Sequence, residues 1–126
     1  STGTLTIKGT GSLTAIGGFN NAGIGGGNGY STANIIIAGG IVNASTTADN
    51  GAAIGGGYHG SASNITISGG TVTAHAHHNG AAIGGGHSGS GTNIKITGGT
   101  VNATTGKNGR QRGKTVYFHR DRPGRK

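Results

Sequence analysis

Histidine is the reactive residue type that this sequence concentrates in one place. Three of its six histidines, His75, His77 and His78, lie within four residues of one another. Alternate side chains of an extended segment share a face, so His75 and His77 would project together. His59 or His87 from a neighbouring corner would complete a set of imidazole ligands for Zn²⁺, Cu²⁺ or Ni²⁺. The equivalent stretches at 45–50 and 104–108 lack histidine. This favours the interpretation that the sequence of these loops varies freely and that the histidines do not form a site. We therefore predict no metal and no cofactor, and keep these histidines as the candidate ligands.

Carboxylate side chains are nearly absent, which argues against catalysis. Asp49 and Asp121 are the only two in the chain. Enzymes that cleave polysaccharides need carboxylates as general acid, general base or nucleophile. Serine and threonine are plentiful, but no spacing sets a base and an orienting group beside one of them. We therefore expect that the protein is not an enzyme and has no catalytic residues.

Positive charge is concentrated at the C-terminus. Residues 1–106 carry a net charge of +1, whereas residues 107–126 carry +7. Such a segment binds polyanions through phosphate or carboxylate contacts, although nucleic acid is the less favoured partner here. The alternatives are a polar cap over the end of the fold and an out-of-frame sequence with no selected role. The candidate polyanion-binding residues are Arg110, Arg112, Lys114, Arg120, Arg122, Arg125 and Lys126.

Internal repetition organises the rest of the chain. Three similar units begin near Ala22, Ala52 and Ala81, and residues 3–15 match the second half of an earlier unit. The repeat register holds as far as position 109. A period of about 30 residues is typical of solenoids, in which each unit stacks on its neighbours.

The spacing between units is uneven by one residue. The isoleucine before each glycine triplet recurs after 30 and then 29 positions, and the extra residue falls in the loop that contains Asp49. We divide the chain into repeats at 1–109 and a basic C-terminal tail or cap at 110–126.

Within each unit, apolar residues alternate with polar ones in three short runs. Ile65 and Ile67, for example, flank Thr66, and the other runs follow the same pattern. A period of two indicates β-strands, and three strands with glycine-rich corners suit one coil of a triangular solenoid. The predicted fold is all-β: a parallel β-solenoid (right-handed β-helix) with about 30 residues and three short strands per coil.

Glycine and asparagine recur where a coil has to turn. Glycine accounts for 31 of the 126 residues, and pairs of glycines between strands predict sharp corners with positive φ. An asparagine just before the first strand of each unit predicts a ladder of side-chain hydrogen bonds from coil to coil. The predicted structural residues are Gly39, Gly40, Gly69, Gly70, Gly98, Gly99, Asn34, Asn64 and Asn93.

The motifs NGAAIGGG, NITISGGTVTA and TLTIKGTGSLTA, which span roughly residues 3–109, carry a family resemblance. They resemble the glycine-rich β-solenoid repeats of bacterial cell-surface, adhesin-like proteins, and are similar to carbohydrate-binding right-handed β-helix domains. The resemblance implies a structural or adhesive module that is secreted or exposed on a bacterial cell surface.

The expected partners follow from the strands at the two ends of the stack. Exposed strand edges can template a second copy, which gives dimers or fibres, or can pair with neighbouring repeats of a longer chain. Polysaccharide is the alternative partner, with Tyr30 and Tyr58 as candidate sugar-stacking residues. The longest apolar run, residues 35–38, is far shorter than the roughly 20 residues of a membrane span.

Overall fold

The computed structural model describes residues 3–105, which form a parallel β-solenoid with three sheets. Each full coil gives one strand to every sheet, so the predicted fold class is confirmed. The first sheet has the order β1-β4-β7-β10 and comprises Leu5–Ile7, Thr32–Ile37, Ala62–Ile67 and Gly91–Ile96. The second has the order β2-β5-β8-β11 and comprises Ser12–Gly17, Ile41–Thr46, Thr71–Ala76 and Thr100–Thr105. The third has the order β3-β6-β9 and comprises Ile24–Gly25, Ile54–Gly55 and Ile83–Gly84.

Successive coils pair in a register that follows the repeat spacing. Ser45 pairs with His75, 30 residues later, whereas the Asn79 side chain donates to Asn50, 29 residues earlier. The extra residue of this coil therefore lies between Ser45 and Asn50. This is the loop of Asp49, where the sequence spacing places it.

A thin apolar core runs through the middle of the stack. Ile65 and Ile67 of β7 are fully buried, whereas Thr66 between them is only half-buried. The same alternation buries Val72 and Ala74 of β8. Each inward side chain rests on the equivalent residue of the coil below, so the burial of one repeat depends on its neighbours. The inward positions are therefore completely covered only in the central coils.

The third corner differs from the predicted alternating strand. β6 has only two residues, and Ala52, Ala53 and Ile54 before and within it are all fully buried. The backbone then turns at Gly55, whose φ is +143°. A Cβ atom on Gly55 would overlap the carbonyl oxygen of Gly84 in the next coil. The backbones of the two coils are therefore too close at this position for any residue other than glycine. This backbone contact ends the strand.

The first corner carries the predicted glycine pairs. The second glycine of each pair has a positive φ: +89° at Gly40, +90° at Gly70 and +83° at Gly99. Asn34, the first rung of the predicted ladder, lies inside β4 and not before it. Its φ of +63° turns the backbone out of the strand conformation for one residue, and the paired register passes over it.

Candidate functional site

The histidines that follow β8 do not all point to one place. His75 lies on the outward face of β8, and its Nδ1 is 2.7 Å from the Thr104 hydroxyl oxygen of the next coil. His77 and His78 come after Ala76, the last residue of β8, where the chain leaves the sheet. The structure therefore separates His75 from the other two.

His77 and His78 converge on Asp49 of the preceding coil. The Nδ1 atom of His78 is 2.5 Å from Oδ1 of Asp49, and the Nδ1 atom of His77 is 3.8 Å from the same oxygen. One ligand atom from each of the three residues lies within 4.8 Å of the other two. The imidazole ring centroids are 5.1 Å apart with an interplanar angle of 54°, so the two rings are tilted and not stacked on each other. The three residues will be called the Asp-His-His cluster.

An asparagine ladder holds the backbone beside this cluster. Nδ2 of Asn50 donates to Oδ1 of Asn20 at 2.8 Å, and Nδ2 of Asn79 donates to Oδ1 of Asn50 at 2.9 Å. Asn50 directly follows Asp49, and Asn79 directly follows His78. The hydrogen bond between Asn50 and Asn79 therefore keeps Asp49 and His78 next to each other in adjacent coils.

Backbone contacts add to this restraint. The amide of Asn20 donates to the carbonyl oxygen of Asp49 at 3.1 Å, and the amide of His77 donates to the hydroxyl oxygen of Thr46 at 2.8 Å. Thr46 is a buried residue in this core, with 3% of its surface exposed. The polypeptide that carries the cluster is thus anchored on both coils.

The cluster is accessible to solvent and contains a carboxylate. The exposed fractions of the side chains are 41% for Asp49, 49% for His77 and 28% for His78. Asp49 is the only carboxylate side chain among residues 3–105. The one anionic side chain of this part of the chain therefore lies against two imidazoles, which are neutral metal ligands when deprotonated.

Two of the remaining histidines surround Tyr58 at another corner. The Tyr58 and His87 rings are stacked with their centroids 5.6 Å apart and an interplanar angle of 3°, and His59 lies 3.9 Å from the same tyrosine ring. Tyr30 is 71% exposed, and its carbonyl oxygen lies against Gly60 and not Tyr58. The two candidate sugar-binding tyrosines therefore occupy different register positions, and carbohydrate binding through them stays a prediction.

The predicted asparagine ladder is present on the outer surface. Nδ2 of Asn64 donates to Oδ1 of Asn34 at 3.2 Å, and Nδ2 of Asn93 donates to Oδ1 of Asn64. A second, more buried ladder of Asn20, Asn50 and Asn79 was not predicted. The recurrence of asparagine at spacings of 30 and 29 was the signal that would have found it.

The candidate polyanion-binding residues, from Arg110 to Lys126, lie outside the described residues, as does the tail or cap assigned to 110–126. Within residues 3–105 no helix is long and apolar enough to cross a membrane.

Comparison with known proteins agrees with the architecture. The β-helix repeat family matches residues 5–28, 65–87 and 94–110, which is about half of the chain. The chain belongs to this family of repeat proteins. No curated protein and no solved structure shows a significant match to it.

Proposed function

We propose that the chain is a structural and adhesive module, secreted or exposed on a bacterial cell surface, that associates end to end through its open coils. The observation that carries this proposal is the exposure of inward-facing apolar side chains on the first coil. Leu5 is 47% exposed although its partner in the next coil, Ile35, is 2% exposed. Leu13 is 40% exposed above Val42, which is 1% exposed. These leucines occupy core positions that another coil would cover.

The backbone at this end of the stack also leaves room for a strand of another coil. β1 has three residues and pairs with Ile35–Ile37, so the first half of β4 extends beyond it. An open groove of about 540 Å³ lies there, lined by residues that include Thr4, Leu5, Thr32 and Ala33. An extended segment fits such a groove because a strand edge offers unpaired amide and carbonyl groups at regular intervals.

A second copy of this chain is the occupant to which the proposal commits. Val101 and Ala103 of β11 lie at the other end of the described stack and are only half-buried. They stand in one column with Leu13 and Ala15 through the intervening coils. Placing the first coil of one copy on β11 of another would continue both columns at the normal strand spacing of about 4.8 Å. Self-association then uses the contacts that already join coils within one molecule.

The test is the concentration dependence of molecular mass, measured by multi-angle light scattering and sedimentation velocity. The wild-type chain is expected to form dimers and larger species as its concentration rises. Leu13→Lys should remove this association because a buried ammonium group without a partner is strongly unfavourable at a coil interface. The fold should survive, since Leu13 already contacts solvent.

Thr14→Lys is the matched control for this test. Thr14 is the neighbouring residue of β2 and faces outward, so the same charge is added away from the stacking surface. Thr14→Lys should associate like the wild type, with circular dichroism used to verify the fold of both variants. A wild-type chain that stays monomeric at all concentrations, or a Leu13→Lys variant that assembles normally, would contradict the proposal.

We propose a role without catalysis, for which the support is the scarcity of carboxylates. Carbohydrate binding through Tyr30 and Tyr58 is the alternative function, and binding of polyanions by the basic residues after position 109 is a further one. Both stay predictions, since neither has support from the contacts of the described residues.

A further inference from the structure

Beyond its structural role, we propose that the chain binds a divalent transition-metal ion, with Zn²⁺ as the reference ion, at the Asp-His-His cluster. The ligands are a carboxylate oxygen of Asp49 and one ring nitrogen each of His77 and His78. Two imidazoles and one carboxylate form a set that zinc accepts, with water in the fourth position. The same donors also suit Cu²⁺ and Ni²⁺.

The distances within the cluster are close to those that a bound ion requires. Ligand atoms 2.0–2.1 Å from a tetrahedral zinc ion lie about 3.3 Å from one another. The two separations from Oδ1 of Asp49 are 2.5 Å to His78 and 3.8 Å to His77, so one has to widen and the other to shorten, each by under about 1 Å. Side-chain rotation supplies such changes, because all three residues are partly exposed.

The hydrogen bond between Asp49 and His78 involves only one of the two imidazoles that lie beside the carboxylate. At 3.8 Å, the His77 Nδ1 atom is beyond hydrogen-bond distance from the carboxylate, yet it faces the same oxygen. A metal ion would bring both imidazoles into contact with one centre. The observed arrangement therefore places two imidazole nitrogens and one carboxylate oxygen close enough to serve as a ligand set.

The repeat geometry also favours the site, because it restrains the backbone that carries the ligands before the ion binds. The ladder of Asn20, Asn50 and Asn79 holds the residues that follow Asp49 and His78. Restrained ligands lose less conformational entropy on binding, which strengthens affinity. The extra residue between Ser45 and Asn50 gives this coil the longer loop that carries Asp49, a length that the other coils within residues 3–105 do not share.

Isothermal titration of the full chain with ZnCl₂, after chelator treatment, tests the proposal. We expect saturable binding of Zn²⁺ by the wild-type chain. Asp49→Asn and His77→Gln should each lower the affinity at least about tenfold, since even residues that only support metal ligands have effects of this size. Both replacements preserve side-chain size and lie on the surface, so folding should persist.

His75→Gln is the matched control because it removes an imidazole from the same segment but leaves the cluster intact. It should bind Zn²⁺ like the wild type. NMR spectra should show the ring protons of His77 and His78 shifting with zinc in the wild type. The proposal is overturned if the wild type shows no saturable binding, or if Asp49→Asn and His77→Gln bind as well as His75→Gln. Either result leaves the end-to-end association untouched, because Leu13 and the cluster are separate features.

Discussion

Asn50 contributes to the stability of the fold in two ways, through its side-chain hydrogen bonds and through its tolerance of a positive φ, and substitution can separate the two. Asn50 is the central rung of the buried asparagine ladder: it donates to Asn20 at 2.8 Å and accepts from Asn79 at 2.9 Å. It also adopts φ = +83°, a conformation that asparagine and glycine tolerate better than alanine. Asn50→Gly removes both hydrogen bonds but adopts the positive φ without strain. Asn50→Ala also removes both hydrogen bonds, and its methyl group makes the positive φ unfavourable.

The magnitudes follow from these contacts. Two hydrogen bonds at about 1 kcal/mol each give a loss of about 2 kcal/mol for Asn50→Gly. Asn20 is 9% exposed, so water replaces only part of the interaction that its side chain loses. The left-handed conformation adds about 1 kcal/mol for Asn50→Ala, for a total of about 3 kcal/mol. Both numbers refer to the free energy of unfolding.

The assay is urea unfolding monitored by far-ultraviolet circular dichroism. Asn64→Gly and Asn64→Ala provide the reference pair, because Asn64 is the exposed centre of the outer ladder and has φ = +55°. Water competes for the Asn64 hydrogen bonds, so the glycine variant should lose under about 1 kcal/mol there, with the same further step of about 1 kcal/mol to alanine. Equal stability of Asn50→Gly and Asn50→Ala would refute the backbone argument. Losses below about 0.5 kcal/mol in both would refute the ladder argument.

Two further predictions concern glycine contacts and the core. Gly55→Ala should destabilise the fold by at least about 3 kcal/mol, because the new methyl group meets the Gly84 carbonyl and φ is positive. Gly29→Ala, with φ = +82° and open space around it, should cost only about 1 kcal/mol. Similar unfolding midpoints for the two variants would show that the contact between coils does not cause the destabilisation by Gly55→Ala. Ile65→Ala should cost about 3 kcal/mol because it opens a cavity at a fully buried position, whereas Leu5→Ala, at the open end, should cost under about 1.5 kcal/mol. Thermal or urea unfolding compares these two, and equal losses would mean that the end coil is covered.

The strands of the first two sheets could be predicted from sequence because burial in them has a simple period. Inward positions such as Ile65 and Ile67 meet the same neighbours in every coil, so each repeat has to place an apolar residue there. The third corner could not be predicted in the same way. Ala52, Ala53 and Ile54 are all buried because the chain bends around a close backbone contact, and such a contact leaves no alternating pattern.

The Asp-His-His cluster was predicted only in part. The sequence marked the histidines, and its spacing marked the loop of Asp49, but the ligand set inferred on an extended segment joined His75 to His77. In the structure, β8 ends at Ala76: His75 contacts Thr104 of the following coil, whereas His77 lies beside Asp49 of the preceding coil. Where a strand ends depends on its neighbours in the sheet, so the local sequence did not decide it.

The sequence by itself therefore determined the period, the strand faces and the glycine and asparagine positions, since each reflects a requirement that recurs in every coil. Only the tertiary structure decided which residues meet between coils. Asp49 reaches His78 because the added residue and the stacking register act together, and Leu13 remains exposed because no described coil covers it. Each of these contacts occurs at one position of the described stack, whereas a repeat pattern shows only the features that all coils have in common.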